Sequence, residues 1–175
     1  WRTDYGFEPT GQQSHTYGLH LYVPCNCVAN RYPDTYTFRS SMTSGVILRW
    51  DPYTTDFPVE DARRLVAEFK RMRPFFYGDF YPLTSHSISD DVWMAYQFHR
   101  EDLGGGMVFA FRRPESPYLS ARLKLGGLEP NARYELTFED TGVVQALTGE
   151  ALRTGIDLTI DDAPGSVLMT YRQAP

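Results

Sequence analysis

The sequence predicts a two-part chain, α/β in its first half and all-β in its second, and three observations carry that reading. An amphipathic helical stripe near residues 58–73 follows a short apolar run. Beyond residue 91 the pattern becomes a train of short strand-like runs separated by turn residues. The composition, 42% hydrophobic and 15% aromatic over 175 residues, excludes a disordered chain and suits one domain or slightly more.

In the first half, Tyr17–Val23 (YGLHLYV) reads as a strand, and the Pro-, Cys- and Asn-rich stretch after it as a loop. Thr37–Thr43 fits a short helix. Gly45–Trp50 is a continuous apolar run, the pattern of a strand buried on both faces. The helix that follows places Val59, Ala62, Leu65, Val66, Phe69 and Met72 on one face at three- and four-residue steps. Glu60, Asp61, Arg63, Arg64, Glu68, Lys70 and Arg71 fill the other face. Pro58 suits the first helical position, acidic residues lead, basic ones close, and Pro74 stops the helix. The order is β, loop, α, β, α. Two parallel strands leave edges and helix faces uncovered, and a complete (β/α)8 barrel takes about 250 residues. Residues 1–83 are therefore expected to be the last strands and helices of a truncated barrel, with apolar area exposed on them. The chain opens on Trp1 rather than Met, and the expectation is a C-terminal piece of a longer protein.

Residues 84–175 are expected to form an antiparallel β-sandwich. The strand candidates are Val92–Phe98, Met107–Arg113, Ser120–Leu125, Arg133–Phe138, Val143–Leu147, Ile156–Ile160 and Ser166–Tyr171. Gly104-Gly105-Gly106, Gly126-Gly127, Asp140-Thr141-Gly142, Thr154-Gly155 and Ala163-Pro164-Gly165 supply the turns between them. Arg112, Arg113 and Arg122 read as a solvated strand face, and Arg100–Gly104 as a charged hairpin tip. The cluster Phe75-Phe76-Tyr77 with Phe80-Tyr81 reads as packing where the helix gives way to the sandwich, in preference to a sugar-stacking platform.

Charge and cysteine content narrow the function classes. A net charge of −5 argues against a nucleic-acid partner. No apolar run approaches the roughly 20 residues that span a bilayer, so no membrane partner is expected. Cys25 and Cys27 are too close for an unstrained disulfide. With His15 and His20 they make H-x4-H-x4-C-x-C, a spacing unlike zinc-site patterns, so no metal or cofactor is expected. The redox compartment and localisation stay unassigned, with the cytoplasm slightly favoured.

A family resemblance rests on several segments in order. Trp1–Tyr5, Phe7–Gly11, Ser14–Leu19, Thr37–Met42, Leu48–Asp51 and Tyr77–Thr84 resemble the late barrel of melibiase-type α-galactosidases, glycoside hydrolase family 36. Trp93–Phe98, Phe111–Ser116 and the stretch from Gly127 to Leu136 resemble that family's C-terminal sandwich. The loop from Cys25 to Arg31 departs from the family's aromatic, glycine-rich stretch.

The resemblance implies a retaining mechanism with two carboxylates about 5–5.5 Å apart, one a nucleophile and one a general acid/base. It places the acid/base at Asp4, beside Thr3, and the nucleophile on an earlier strand with no counterpart here. Asp51 directly follows a strand, where barrel enzymes place catalytic groups. The family has neither carboxylate there, and an aspartate opening a loop is commonly a turn residue. Tyr5, Gln13 and His15 are candidate sugar-binding residues, although a structural role in the loop competes for Gln13 and His15. The implied parent is an exo-acting α-galactosidase, or a relative acting on another α-linked sugar. Its partner is an α-galactoside, and homo-oligomerisation is open. The alternative is a non-catalytic β-sandwich accessory or carbohydrate-binding module.

Overall fold

Glu8 and Pro9 open the first helix of the computed structural model, which describes residues 8–174. Proline in the first turn forfeits no intrahelical bond, and its fixed φ suits the helix. Helix α1 (Pro9–His20) therefore takes the first part of the segment expected to be a strand, and Leu21, Tyr22 and Val23 are exposed beyond it. The face it buries carries Gln12, Gln13, Thr16 and Tyr17. A mostly polar buried face hides its helical period from a pattern that looks for apolar residues.

Strand β1 (Cys27–Asn30) lies in the stretch read as a loop and pairs in parallel with β2 (Gly45–Leu48), Val28 opposite Val46. Helix α2 (Thr35–Ser41) stands where a short helix was expected. The Asp34 carboxylate caps it, accepting from the Thr37 N–H at 2.9 Å and from the Thr37 hydroxyl. Helix α3 (Val59–Met72) matches its prediction, with Pro58 as the capping residue just outside it. Two expectations fail nearby. Ile47 and Leu48 are each 42% exposed, so β2 is not buried on both faces; its two-stranded sheet has too few neighbours to cover them. Glu68, assigned to the solvent face of α3, is buried and accepts from Arg39 on α2 at 3.0 and 2.7 Å. The apolar period of α3 cannot reveal a carboxylate that goes inside because a guanidinium waits there.

The chain divides into two compact units, the first ending at Tyr77 and the second beginning at Gly78. Among the described residues the first unit holds two parallel strands, and a closed barrel is not seen.

The second unit contains every strand expected beyond residue 91. They are β4 (Trp93–Arg100), β5 (Gly105–Arg112), β6 (Ser120–Leu123), β7 (Arg133–Phe138), β8 (Val144–Thr148), β9 (Ile156–Thr159) and β10 (Gly165–Gln173). The sequence reading missed β3 (Asp79–Pro82), which pairs with β4, and helix α4 (Gly149–Thr154), capped by Thr148. One antiparallel sheet runs β3-β4-β5-β10-β7-β8, and β6 with β9 forms a second, two-stranded sheet. Ala95, Val108, Ala110, Leu136 and Met169 of the large sheet share a core with Leu123 and Leu158 of the small one and Leu152 of α4. The sandwich is therefore lopsided. On the opposite face of β4 and β5, Tyr96 stacks among Phe80, Phe98, Phe109 and Phe111, with centroids 5.7 to 6.0 Å from its ring.

Arg112 and Arg113 are not a solvated face. Arg112 is 9% exposed and donates to the carbonyls of Ser116, Ile160 and Asp161; Arg113 is fully buried and donates to those of Ser87 and Ser89. Each guanidinium fastens loops the strands leave unpaired, which a sequence pattern cannot register. Arg122 is exposed and pairs with Asp157 at 3.0 Å, as a surface strand residue does.

Candidate active-site region

In a parallel β/α unit the chemistry-bearing residues gather at the C-terminal ends of the strands. Here those ends are Asn30 on β1 and the Leu48–Asp51 stretch after β2. The Asn30 carbonyl accepts from the Arg49 N–H at 2.8 Å, carrying the pairing one step past β2. Its side-chain oxygen accepts from the Trp50 indole N–H at 2.6 Å, and Asn30 is 1% exposed. The Trp50 ring lies between Phe38 and Phe57, with centroids 5.6 and 6.1 Å away. Asn30 and Trp50 were absent from the sequence-derived candidates. The signal available was Trp50 at the end of the Gly45–Trp50 run; its Asn30 partner depended on recognising β1.

The predicted residues are distributed unevenly. Asp4 and Tyr5 lie outside the described residues. Gln13 is fully buried on α1 and donates to Tyr36 Oη at 3.1 Å and Ser40 Oγ at 2.9 Å, tying α1 to α2. Both amide hydrogens point into the helix pair, which supports the structural role weighed against sugar binding. His15 is half-buried, burial lowers its pKa, and its Nε2 is enclosed without a hydrogen-bond partner. His20, one turn on, bonds through Nδ1 to the Thr16 carbonyl at 2.8 Å. Burial drives its pKa down to about 4; the Thr16 bond opposes this shift and His15 adds to it. Nδ1 donates to a carbonyl, so the neutral ring carries its proton there and Nε2 is bare.

Asp51 closes a turn. Its carboxylate accepts from the Tyr53 N–H at 3.1 Å and its carbonyl from Thr54, and the residue is exposed. That is the turn role its position suggested. Of the other described acids in this unit, Asp34 caps α2, Glu68 is paired with Arg39, and Glu60 and Asp61 face Arg63 and Arg64 on the exposed side of α3.

An open recess of about 390 Å³ lies between the loop after β2 and α3, lined by Trp50, Phe57, Val59 and Val66 together with the side chains of Arg63 and Lys70. Its walls are mostly apolar, whereas a sugar presents hydroxyls that need paired donors and acceptors. Cys25 and Cys27 are free thiols, Cys27 opening β1 rather than sitting in a loop. No cluster of His, Cys, Asp and Glu suited to a metal ion occurs among the described residues, and no helix among them is long and apolar enough to cross a membrane.

No family model matches the sequence, and no curated protein matches it significantly. Solved structures do match, along nearly the whole chain. The galactosidase domain of an alpha-galactosidase-sucrose kinase aligns with a TM-score of 0.78 at 17% identity, over 97% of this chain and 25% of its own. A GH36 alpha-galactosidase from Geobacillus stearothermophilus, solved with raffinose, aligns at 0.77 and 21% identity over 97% of this chain and 25% of its own. The alpha-galactosidase from Lactobacillus brevis aligns at 0.63 and 19% identity over 80% of this chain and 20% of its own. The chain has the fold of part of a GH36 alpha-galactosidase. It spans about a quarter of the length of the first two of these structures. The mixed helix–sheet arrangement with its large antiparallel sheet matches the GH36 C-terminal domain.

Proposed function

We propose that this chain is the C-terminal portion of a retaining exo-glycosidase that hydrolyses terminal α-galactosides or closely related α-linked sugars. The observation that carries the reading is the continuous structural likeness to alpha-galactosidases through both units. The sequence motifs add the register: Thr3-Asp4 precedes the Ser14–Leu19 segment in the order the family uses.

In this reading β1 and β2 are the last strands of a barrel, and their C-terminal ends border the sugar site. The Asn30–Trp50 bond holds that border rigid, and Gln13 holds α1 behind it. Asp4 donates a proton to the leaving oxygen while the glycosyl bond passes to a nucleophilic carboxylate supplied by another strand. The resulting aspartate then takes a proton from water as that water attacks the glycosyl-enzyme.

The test uses the enzyme comprising this chain and the sequence encoded before it, assayed on raffinose and on an activated aryl α-galactoside. Asp4→Asn should slow raffinose turnover by about 10²–10⁴-fold, the usual worth of general acid catalysis, with a smaller loss in the glycosylation step of the aryl substrate. Asp51→Asn should be far milder. Near-normal raffinose turnover in Asp4→Asn with abolition in Asp51→Asn would overturn the assignment. The isolated 175-residue chain, without the nucleophile, should turn over neither substrate.

A further inference from the structure

A second titratable cluster lies in the β-rich unit, among side chains the glycosidase reading does not use. Gln97 on β4 grips the Gly126 peptide from both sides. Its Oε1 accepts from the Gly126 N–H at 2.8 Å, and its Nε2 donates to the Gly126 carbonyl at 2.9 Å. The first bond fixes which end of the amide is oxygen, so the second hydrogen on Nε2 points at Tyr171 Oη. Tyr171 Oη also lies 3.0 Å from His99 Nδ1. The buried phenol proton needs an acceptor, and Nδ1 is the one within reach; in that arrangement Tyr171 donates and Nδ1 is the unprotonated nitrogen.

The surroundings leave the network little room. Tyr171 lies directly over Gly106, where a Cβ would come within 2.3 Å of Oη. Gly126 presses on the Tyr81 ring, which a Cβ would meet at 2.4 Å. Gly127, at φ +70°, sits 2.8 Å from Tyr81 Oη and 3.1 Å from His99 Cδ2 by the same measure. Gln97, His99 and Tyr171 are 0%, 6% and 1% exposed.

We propose that Gln97, Tyr171 and His99 form a pH-sensitive latch that holds the Gly126–Gly127 turn on the sheet while His99 is neutral and loosens it when His99 is protonated. A proton can enter at Nδ1 only if the phenol hydrogen turns away. The acceptors left in the network are Gln97 Oε1 and the Gly126 carbonyl, both already bonded to hold Gly126. Acid therefore leaves the buried O–H without its acceptor or draws it to an oxygen that already holds Gly126, where it competes with that bond.

The groups facing His99 and Tyr171 are Asp79 and Tyr81 on β3, Glu101 in the turn before β5, and Tyr134 on β7. Burial lowers the His99 pKa, and Asp79 and Glu101 partly offset it. The sign follows. A histidine depressed in the fold contributes stability that is full above its ordinary value near 6.5 and is lost as pH falls through the lower folded value.

The test is an NMR titration of the full chain with ¹⁵N-labelled histidine, following the Gly126 and Gly127 amides in parallel. Wild type should carry its His99 proton on Nε2, resist protonation at pH 6.5, and show one shared acid transition for His99 and the two glycine amides. Tyr171→Phe keeps the ring and removes the phenol; His99 should then titrate closer to 6.5, and the glycine amides should no longer follow it. Gln97→Glu reverses the network, because a carboxylate accepts the phenol proton and makes His99 the donor. Its His99 pKa should rise by about one unit or more. A proton on Nδ1 in wild type, or His99 titration with no response at Gly126 and Gly127, would overturn the proposal without any variant.

Discussion

The two units carry their buried polar groups largely on different elements. In the β-rich unit the sheet is apolar on both faces of β4 and β5, and the buried polar side chains of those strands bind backbone groups or the Tyr171 phenol of β10. In the α/β unit the helices carry much of the polar load: Gln12, Gln13 and Thr16 on α1, Arg39 on α2 and Glu68 on α3. A strand with a buried apolar face announces itself by pattern. A helix that buries amides and charges is specified by the partners it meets, so its stability hangs on a few pairings.

The sharpest way to break that contrast is at the Arg39–Glu68 pair. Glu68→Ala removes the carboxylate from beside a buried guanidinium, and the expected loss is about 3–5 kcal/mol. Hydrogen exchange should show the loss in amides of α2 and α3, with those of β5 and β10 less affected. An equal loss in both sets would mean that the units do not differ as described.

The complementary cut is Leu136→Ala, at a side chain 1% exposed in the sandwich core. It removes packing alone, and roughly 2–5 kcal/mol should go, read from denaturant melts and from exchange in β7 and β10.

Acid should weaken each unit at a buried histidine, His99 in the second and His20 in the first. His20 is held near a pKa of about 4, so α1 keeps the full contribution of its neutral ring above pH 6.5 and loses it as pH falls toward 4. The difference is on the order of 2–3 kcal/mol between pH 7 and pH 4. Stability measured across that range should be flatter in His20→Gln than in wild type, and parallel curves would rule the mechanism out. The smallest expected effects are at the caps. Asp34→Ala and Thr148→Ala should each cost about 1 kcal/mol, one in each unit.

Particular residues mark how far the sequence could be read. The strands beyond residue 91 were legible because their apolar residues and turn glycines are local signals, and α3 because its stripe has a clear period. Helix α1 was not, because its buried face is polar; the YGLHLYV alternation imitated a strand whose true counterpart is the short β1. At the candidate site, Asp51 as a turn former followed from its type and place. Gln13 as a clamp between helices did not, since Tyr36 and Ser40 lie 23 and 27 residues away.

The sequence by itself determined the change of rhythm near residue 84, the position of α3 and the strands beyond residue 91. Only the tertiary structure decided which polar groups go inside. Glu68 looks like any helix-surface acid until Arg39 is brought beside it, and Arg112 like any strand-surface base until three carbonyls converge on it. Periodicity reports which residues leave water at no cost. Whether a charged or amide side chain can leave water depends on partners supplied from distant parts of the chain, and those exist only once the fold has formed.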